Sequence, residues 1–132
     1  MREKTYYCGL EAALDVIGGK WKALILRALR AEAQRFGELR RLVEGISEKM
    51  LIQHLKEMQA DGIVARKDFK EVPPRVEYAL TSFGQSLYAA LAPLCEWGTL
   101  HLNRIEARKE ATEPKTRQRA VQRPAASRAV VD

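Results

Sequence analysis

Residues 35–81 read RFGELRRLVEGISEKMLIQHLKEMQADGIVARKDFKEVPPRVEYALT, and the order of their local patterns decides the fold. Residues 36–43 place Phe36, Leu39, Leu42 and Val43 at helical spacing and leave Glu38, Arg40 and Arg41 outward. Glu44-Gly45-Ile46 then makes a turn. Ser47 opens a second helix, because its hydroxyl can accept an orphan N–H of the first turn, and Asp61-Gly62 ends it. In that helix Leu51, Leu55 and Met58 share one face, with Met50 and Ile52 as flanks. At about 100° per residue, Lys49, Gln53 and Lys56 fall together on the opposite face. Two strand-forming runs follow, at 63–69 and 75–80, and Val72-Pro73-Pro74 between them cannot pair in a ladder. In the second run Val76, Tyr78 and Leu80 alternate inward, with Arg75, Glu77 and Ala79 outward. A helix-turn-helix followed directly by a two-stranded ribbon is the plan of a winged-helix DNA reader.

Working outward, Leu10, Ala13, Leu14 and Ile17 recur at helical spacing before Gly18-Gly19 ends that helix. A second begins near Lys20, with Trp21, Leu24, Ile25, Ala28 and Leu29 in one stripe. After the ribbon, Thr81 caps a long helix through Phe83, Leu87, Leu91 and Leu94 to Trp97 and Leu102, which Pro93 is expected to kink or split. A lone winged helix would leave one side of this helix uncovered, so Leu87, Leu91, Leu94, Trp97 and Leu102 are expected at a dimer interface. Beyond Glu106 the apolar period fades. The predicted class is α+β, mainly helical: a winged helix-turn-helix with a two-stranded wing and additional N- and C-terminal dimerisation helices. Residues 1–106 are expected to form the DNA-binding and dimerisation domain, and 107–132 a basic, disordered tail.

Charge supports this division. Of the formal net charge of +6, the stretch 107–132 holds +4, from seven Lys/Arg against three Asp/Glu. The remaining 106 residues carry 16 basic and 14 acidic side chains. The body is therefore close to balanced, and a DNA site must be a local basic face rather than a global field. The tail's cations either add nonspecific DNA affinity or are simply solvated. No apolar run approaches the roughly 20 residues that span a bilayer, and the first residues lack the apolar core of a secretory signal, so a cytoplasmic location is expected.

Two cysteines, Cys8 and Cys95, are too few for a disulfide scaffold, and with His54 and His101 they make no metal-ligand spacing. No cofactor motif is present. No nucleophile–base–orienter set can be assembled, so an enzyme is not expected.

Lys49, Gln53 and Lys56 would ordinarily be a solvated helix face. On the second helix of a helix-turn-helix they are instead placed to read DNA: Gln53 an adenine edge, Lys49 a guanine or a phosphate. Ser47 at the helix N-terminus suits a phosphate. Lys67, Lys70 and Arg75 surround the wing tip, where positive charge serves both edge protection and backbone contact. A module built to bind protein instead would show apolar or acidic residues where Lys49 and Lys56 stand. His54 lies on the flank of its helix and reads as a packing or phosphate-contact residue. Cys95, among Leu91, Leu94 and Trp97, reads as a buried, inert thiol.

Five segments in this order resemble the HxlR-type bacterial transcriptional regulators, relatives of the MarR group. They are Leu14-Asp15-Val16-Ile17-Gly18-Gly19-Lys20-Trp21-Lys22, Phe36-Gly37-Glu38-Leu39-Arg40-Arg41-Leu42, Gly45-Ile46-Ser47-Glu48-Lys49-Met50-Leu51, Val72-Pro73-Pro74-Arg75-Val76-Glu77-Tyr78 and Leu94-Cys95-Glu96-Trp97-Gly98. The resemblance implies a homodimer joined through N- and C-terminal helices, which brings Leu10 and Leu14 into the interface, and a pseudo-palindromic operator in double-stranded DNA. It also implies a role for Cys8, since many members sense oxidants or electrophiles through a cysteine just before the first helix. The familiar pattern there is Cys-Pro, whereas this chain has Cys8-Gly9, which keeps the thiol and drops a stiff helix start. A regulator responsive to a small-molecule effector is the alternative within the same family.

Overall fold

Helix caps and apolar periods set the element order in the computed structural model, which describes residues 5–112. The elements are α1 (Gly9–Ile17), α2 (Lys20–Leu29), β1 (Gln34–Arg35), α3 (Phe36–Leu42), α4 (Glu48–Ala60), β2 (Val64–Asp68), β3 (Val76–Leu80), α5 (Ser82–Leu100) and α6 (Leu102–Thr112). They fall into two compact units, one ending at Tyr88 and the other beginning at Ala89. Among the described residues no helix is long and apolar enough to cross a membrane.

The first unit holds the core. Ile25, Leu26 and Leu29 of α2, Leu39 of α3, and Leu51, Leu55 and Met58 of α4 are buried, together with Val43 and Ile46 in the turn, Ile63 just before the sheet, and Val64 and Leu80 within it. Leu26 lies outside the stripe expected for α2, which buries a wider arc than that spacing implied. Leu42, expected to be buried, is 53% exposed. Leu39 and Val43, one helical turn apart, take the inward direction, and Leu42 is left at the rim of a cleft with Leu24 and Ala28. Gly45 sits in the helix-turn-helix corner at φ +90, with the Trp21 ring 3.7 Å from where a Cβ would be. Only glycine adopts that backbone without strain.

The sheet has three antiparallel strands in the order β1-β3-β2, so the expected two-stranded ribbon gains a short partner. Gln34 pairs with Tyr78 and Arg35 with Glu77 on one side of β3, while Val64 to Asp68 pair with Leu80 to Val76 on the other. β3 is thus the central strand, which explains why Glu77, expected outward, is half-buried. Thr81 ties the sheet to α5. Its hydroxyl donates to the Gly62 carbonyl at 2.6 Å and accepts the Gly84 N–H at 3.0 Å, capping the helix as expected. Gly84 lets the helix approach: a Cβ there would lie 2.2 Å from the Ile63 carbonyl oxygen.

The second unit is a helical run with a different organisation. Pro93 does not split α5, and the helical run divides at His101. Proline removes one N–H from the ladder, a loss a long helix can absorb. At the break, the His101 N–H reaches the Trp97 carbonyl at 3.1 Å and the Ile105 N–H reaches His101 at 3.0 Å, so helical bonding carries across. The Trp97 and His101 rings stack at 4.7 Å. Cys95, expected to be buried, is exposed. This run has no second layer of its own among the described residues to cover it. Residues 107–112, placed in the expected tail, are helical, because α6 runs to Thr112. Ala107, Arg108, Lys109, Glu110 and Ala111 are strong helix formers that need no apolar stripe. Residues 1–4 and 113–132, the latter most of the expected tail, lie outside the described residues.

Candidate DNA-binding surface

Ser47 starts α4 as expected: its backbone is extended, and its Oγ accepts the Met50 N–H at 3.1 Å. The hydroxyl proton remains available for an acceptor outside the protein, beside the free N–H groups of the first turn. With Leu51, Leu55 and Met58 all buried, the outward face of the helix is fixed, and Lys49, Gln53 and Lys56 stand on it exposed. Ile52 stands with them, 40% exposed. These four occupy positions i, i+3, i+4 and i+7, one continuous stripe along the helix. The sequence reading treated Ile52 as a flank of the core, but an apolar side chain between two lysines is suited to a thymine methyl group.

Behind the stripe lies a charged cluster that links α4 to α2. The Lys22 ammonium, almost buried, contacts Glu57 Oε1 at 2.8 Å. Gln53 Nε2 donates to Glu57 Oε2 at 3.2 Å. The Lys22 hydrogen bond, helped by Gln53 and opposed by partial burial, holds the Glu57 carboxyl down from 4.5 to about 2. His54 is nearly covered, with Nδ1 3.5 Å from Glu57 Oε1 and neither ring nitrogen hydrogen-bonded. It packs and does not reach outward. The Lys22–Glu57 pair is not visible along the sequence, because its members belong to different helices, whereas Gln53 and His54 reach Glu57 within one turn of α4.

The wing separates the three cations expected there. Lys67 and Lys70 are exposed. Lys70 takes a left-handed backbone at φ 55, with its N–H on Asp68 Oδ1 at 2.9 Å, which fixes the loop after β2. Arg75 is engaged within the protein. Its guanidinium lies 3.6 Å from the Phe69 ring centroid and contacts Glu71 and Glu77, each at 3.3 Å. With its Nε buried and unpaired and its other contacts within the wing, Arg75 braces the wing. Lys67 also covers the Phe69 ring, at 4.8 Å, but remains in solvent. Arg66, passed over in the sequence, is a further exposed cation on β2. On α3, by contrast, Arg41 and Arg40 contact Glu38 and Glu48 at 2.6 and 3.8 Å.

Away from this surface, Cys8 is exposed at the N-cap of α1, and its side chain makes no capping bond. Leu10 and Leu14 on α1 are 68% and 58% exposed. In the second unit Leu94, Trp97 and Leu100 are exposed, while Leu91 and Leu102 are half-buried, as is Leu87 at the end of the first unit. Leu100 escaped the sequence reading.

Residues 16–106 match the HxlR-like helix-turn-helix family. The HTH-type transcriptional regulator YtcD of Bacillus subtilis is 48% identical over 105 residues, covering 80% of this chain and 83% of that protein. Among solved structures, the redox regulator HypR in its reduced form superposes with a TM-score of 0.71 at 41% identity, covering 76% of this chain and 99% of that one. Diamide-treated YodB from B. subtilis gives a TM-score of 0.62 at 34% identity, covering 71% and 94%. A matched segment that takes in the whole helix-turn-helix and wing, with relatives at this level of identity, settles the family: the chain belongs to the HxlR-like helix-turn-helix group and is a DNA-binding transcriptional regulator.

Proposed function

We propose that the protein acts as a homodimer that inserts α4 of each subunit into successive major grooves of a pseudo-palindromic operator. The observation that carries this is the exposed stripe Lys49, Ile52, Gln53 and Lys56, backed by a fully buried apolar face. In this arrangement Gln53 reads an adenine edge, Lys49 and Lys56 contact a guanine or phosphates, and Ser47 with the first-turn N–H groups takes a phosphate. Lys67 and Lys70 follow the flanking backbone, and Arg75 holds the wing in shape for them. The exposed Leu10, Leu14, Leu94, Trp97 and Leu100, with Leu87, Leu91 and Leu102, supply the dimer interface. Acting on chromosomal DNA places the protein in the cytoplasm.

The regulating signal in this reading is oxidation or alkylation of Cys8. Its exposure at the head of a helix assigned to the dimer interface supports the idea, as does likeness to HypR, a redox regulator. Bulk added there would alter the spacing of the two α4 helices, which must enter their grooves together. The second reading is a small-molecule effector, for which the open helix face bearing Trp97, His101, Arg104, Ile105 and Arg108 is the candidate seat. Selection of genomic fragments on the purified protein, followed by light scattering of the complex, tests the assembly: two chains per duplex are expected, and one chain per duplex contradicts it. Operator binding by wild type and Cys8→Ser is then compared before and after mild peroxide. Loss of response only in Cys8→Ser supports the thiol; identical responses move the effector reading ahead.

A further inference from the structure

Gln53 is an ambiguous reader by itself, because an amide presents a donor at one end and an acceptor at the other and can rotate to exchange them. In this protein the exchange is blocked. An ionised carboxylate only accepts, so Glu57, 3.2 Å away, selects the amide nitrogen of Gln53. The Gln53 Oε1 and the second amide hydrogen have no partner among the described residues. Glu57 is in turn held from the far side by Lys22 of α2 at 2.8 Å, a side chain only 11% exposed.

We propose that Glu57, anchored by Lys22, is a positioning residue that fixes which end of the Gln53 amide meets the base. The proposal rests on the reading of Gln53 as a base contact. The fixed amide offers one acceptor and one donor in a set order, the pair that matches N6–H and N7 of adenine. Guanine presents two acceptors on the same edge and can satisfy only the donor. Glu57 therefore sharpens discrimination without touching DNA. Lys22 has a second task in the same arrangement. A bare carboxylate one turn from a base contact would repel the phosphates, and the ammonium neutralises it.

The test is a binding-energy profile over every single base-pair change in a duplex selected from a random pool by the full-length wild-type protein. Wild type, Gln53→Ala, Glu57→Gln, Lys22→Met and the Gln53→Ala/Glu57→Gln double variant are compared. A glutamine at 57 can give or accept, so it no longer dictates the order of the Gln53 amide. Discrimination at the Gln53 position in wild type is expected to be roughly 5- to 150-fold. Glu57→Gln should reduce it at least about threefold, at that base pair alone, with affinity for random DNA not lowered, since the substitution removes a negative charge. Lys22→Met should reduce discrimination at that base pair to a smaller degree and, because it bares the Glu57 carboxylate, also weaken cognate and random duplexes alike; the double variant should match the Gln53→Ala discrimination profile. If Gln53→Ala flattens one position while Glu57→Gln and Lys22→Met leave it intact, the positioning role is wrong and the base contact stands. Uniform weakening at all positions in Glu57→Gln would mean a purely structural role and overturns the proposal. A Gln53→Ala profile that flattens no position overturns both this proposal and the base contact on which it rests.

Discussion

Helix α4 and the helical run from Ala89 to Thr112 are each amphipathic, yet the structure treats their apolar residues in opposite ways. On α4, Leu51, Leu55 and Met58 are at most 2% exposed, and the exposed stripe is cationic or amide apart from Ile52. In the second unit Leu94, Trp97 and Leu100 are all more than half exposed. A buried apolar face belongs to the subunit's own stability, and an open one of this kind marks an association surface. In the proposed homodimer the contrast separates two tasks in one chain: α4 is finished within the subunit and presents chemistry to DNA, whereas the run after Tyr88 is completed by the second copy.

The largest effects should fall on the finished side. Leu55→Ala is expected to destabilise the fold by about 2–5 kcal/mol, read from urea unfolding, because the cavity it leaves is enclosed. Leu94→Ala should shift the same transition by under about 0.5 kcal/mol in a dissociated sample. It should instead raise the concentration at which light scattering shows a dimer. An equal loss of fold stability in the two variants would break the comparison. Next is Gly84→Ala, whose Cβ would meet the Ile63 carbonyl at 2.2 Å and force α5 away from β2. A cost of about 1–3 kcal/mol by thermal unfolding is expected.

Smaller effects sharpen the account of the DNA side. Lys67→Ala should weaken cognate and random duplexes alike and lower the salt slope by about one. Arg75→Ala should lower protein stability as well, since it removes the contacts to Phe69, Glu71 and Glu77; a change in the salt slope alone would show that Arg75 touches phosphate. The smallest effect concerns acid. Folding lowers the Glu57 carboxyl from 4.5 to about 2, so its stabilising contribution is complete above pH 4.5 and is lost as the pH falls toward 2. Its side chain is 44% exposed, and solvent screening keeps the contribution modest. Wild type should therefore lose slightly more stability than Glu57→Gln between about pH 6 and pH 3. Equal losses in urea midpoint would contradict the clustered Lys22–Glu57 pair.

Legibility followed the range of the interactions. Ser47 and Thr81 announced their helices because capping is local, and the 3.6-residue period of Leu51, Leu55 and Met58 fixed the orientation of α4. Strand β1 was invisible: two residues, Gln34 and Arg35, have no period and become a strand only by pairing with β3. The exposure of Leu42 and Cys95 was missed for the same reason, since apolar character does not say which neighbour is present to cover it. Helix α6 ran past Glu106 on propensity alone, where a search for apolar spacing finds nothing. At the candidate site the stripe of Lys49, Gln53 and Lys56 was readable from spacing. The partners that restrict it were not, because Lys22 reaches Glu57 from another helix and Arg75 is claimed by Phe69, Glu71 and Glu77 across the wing.

The claim that α4 reads sequence is tested most directly by one pair of affinities, for a selected operator and for a random duplex of equal length, measured with wild type and Gln53→Ala at one salt concentration. The account predicts a loss of roughly 1–3 kcal/mol on the operator and almost none on random DNA. Equal losses on the two duplexes would contradict it and leave Gln53 as one more residue on a solvated helix face.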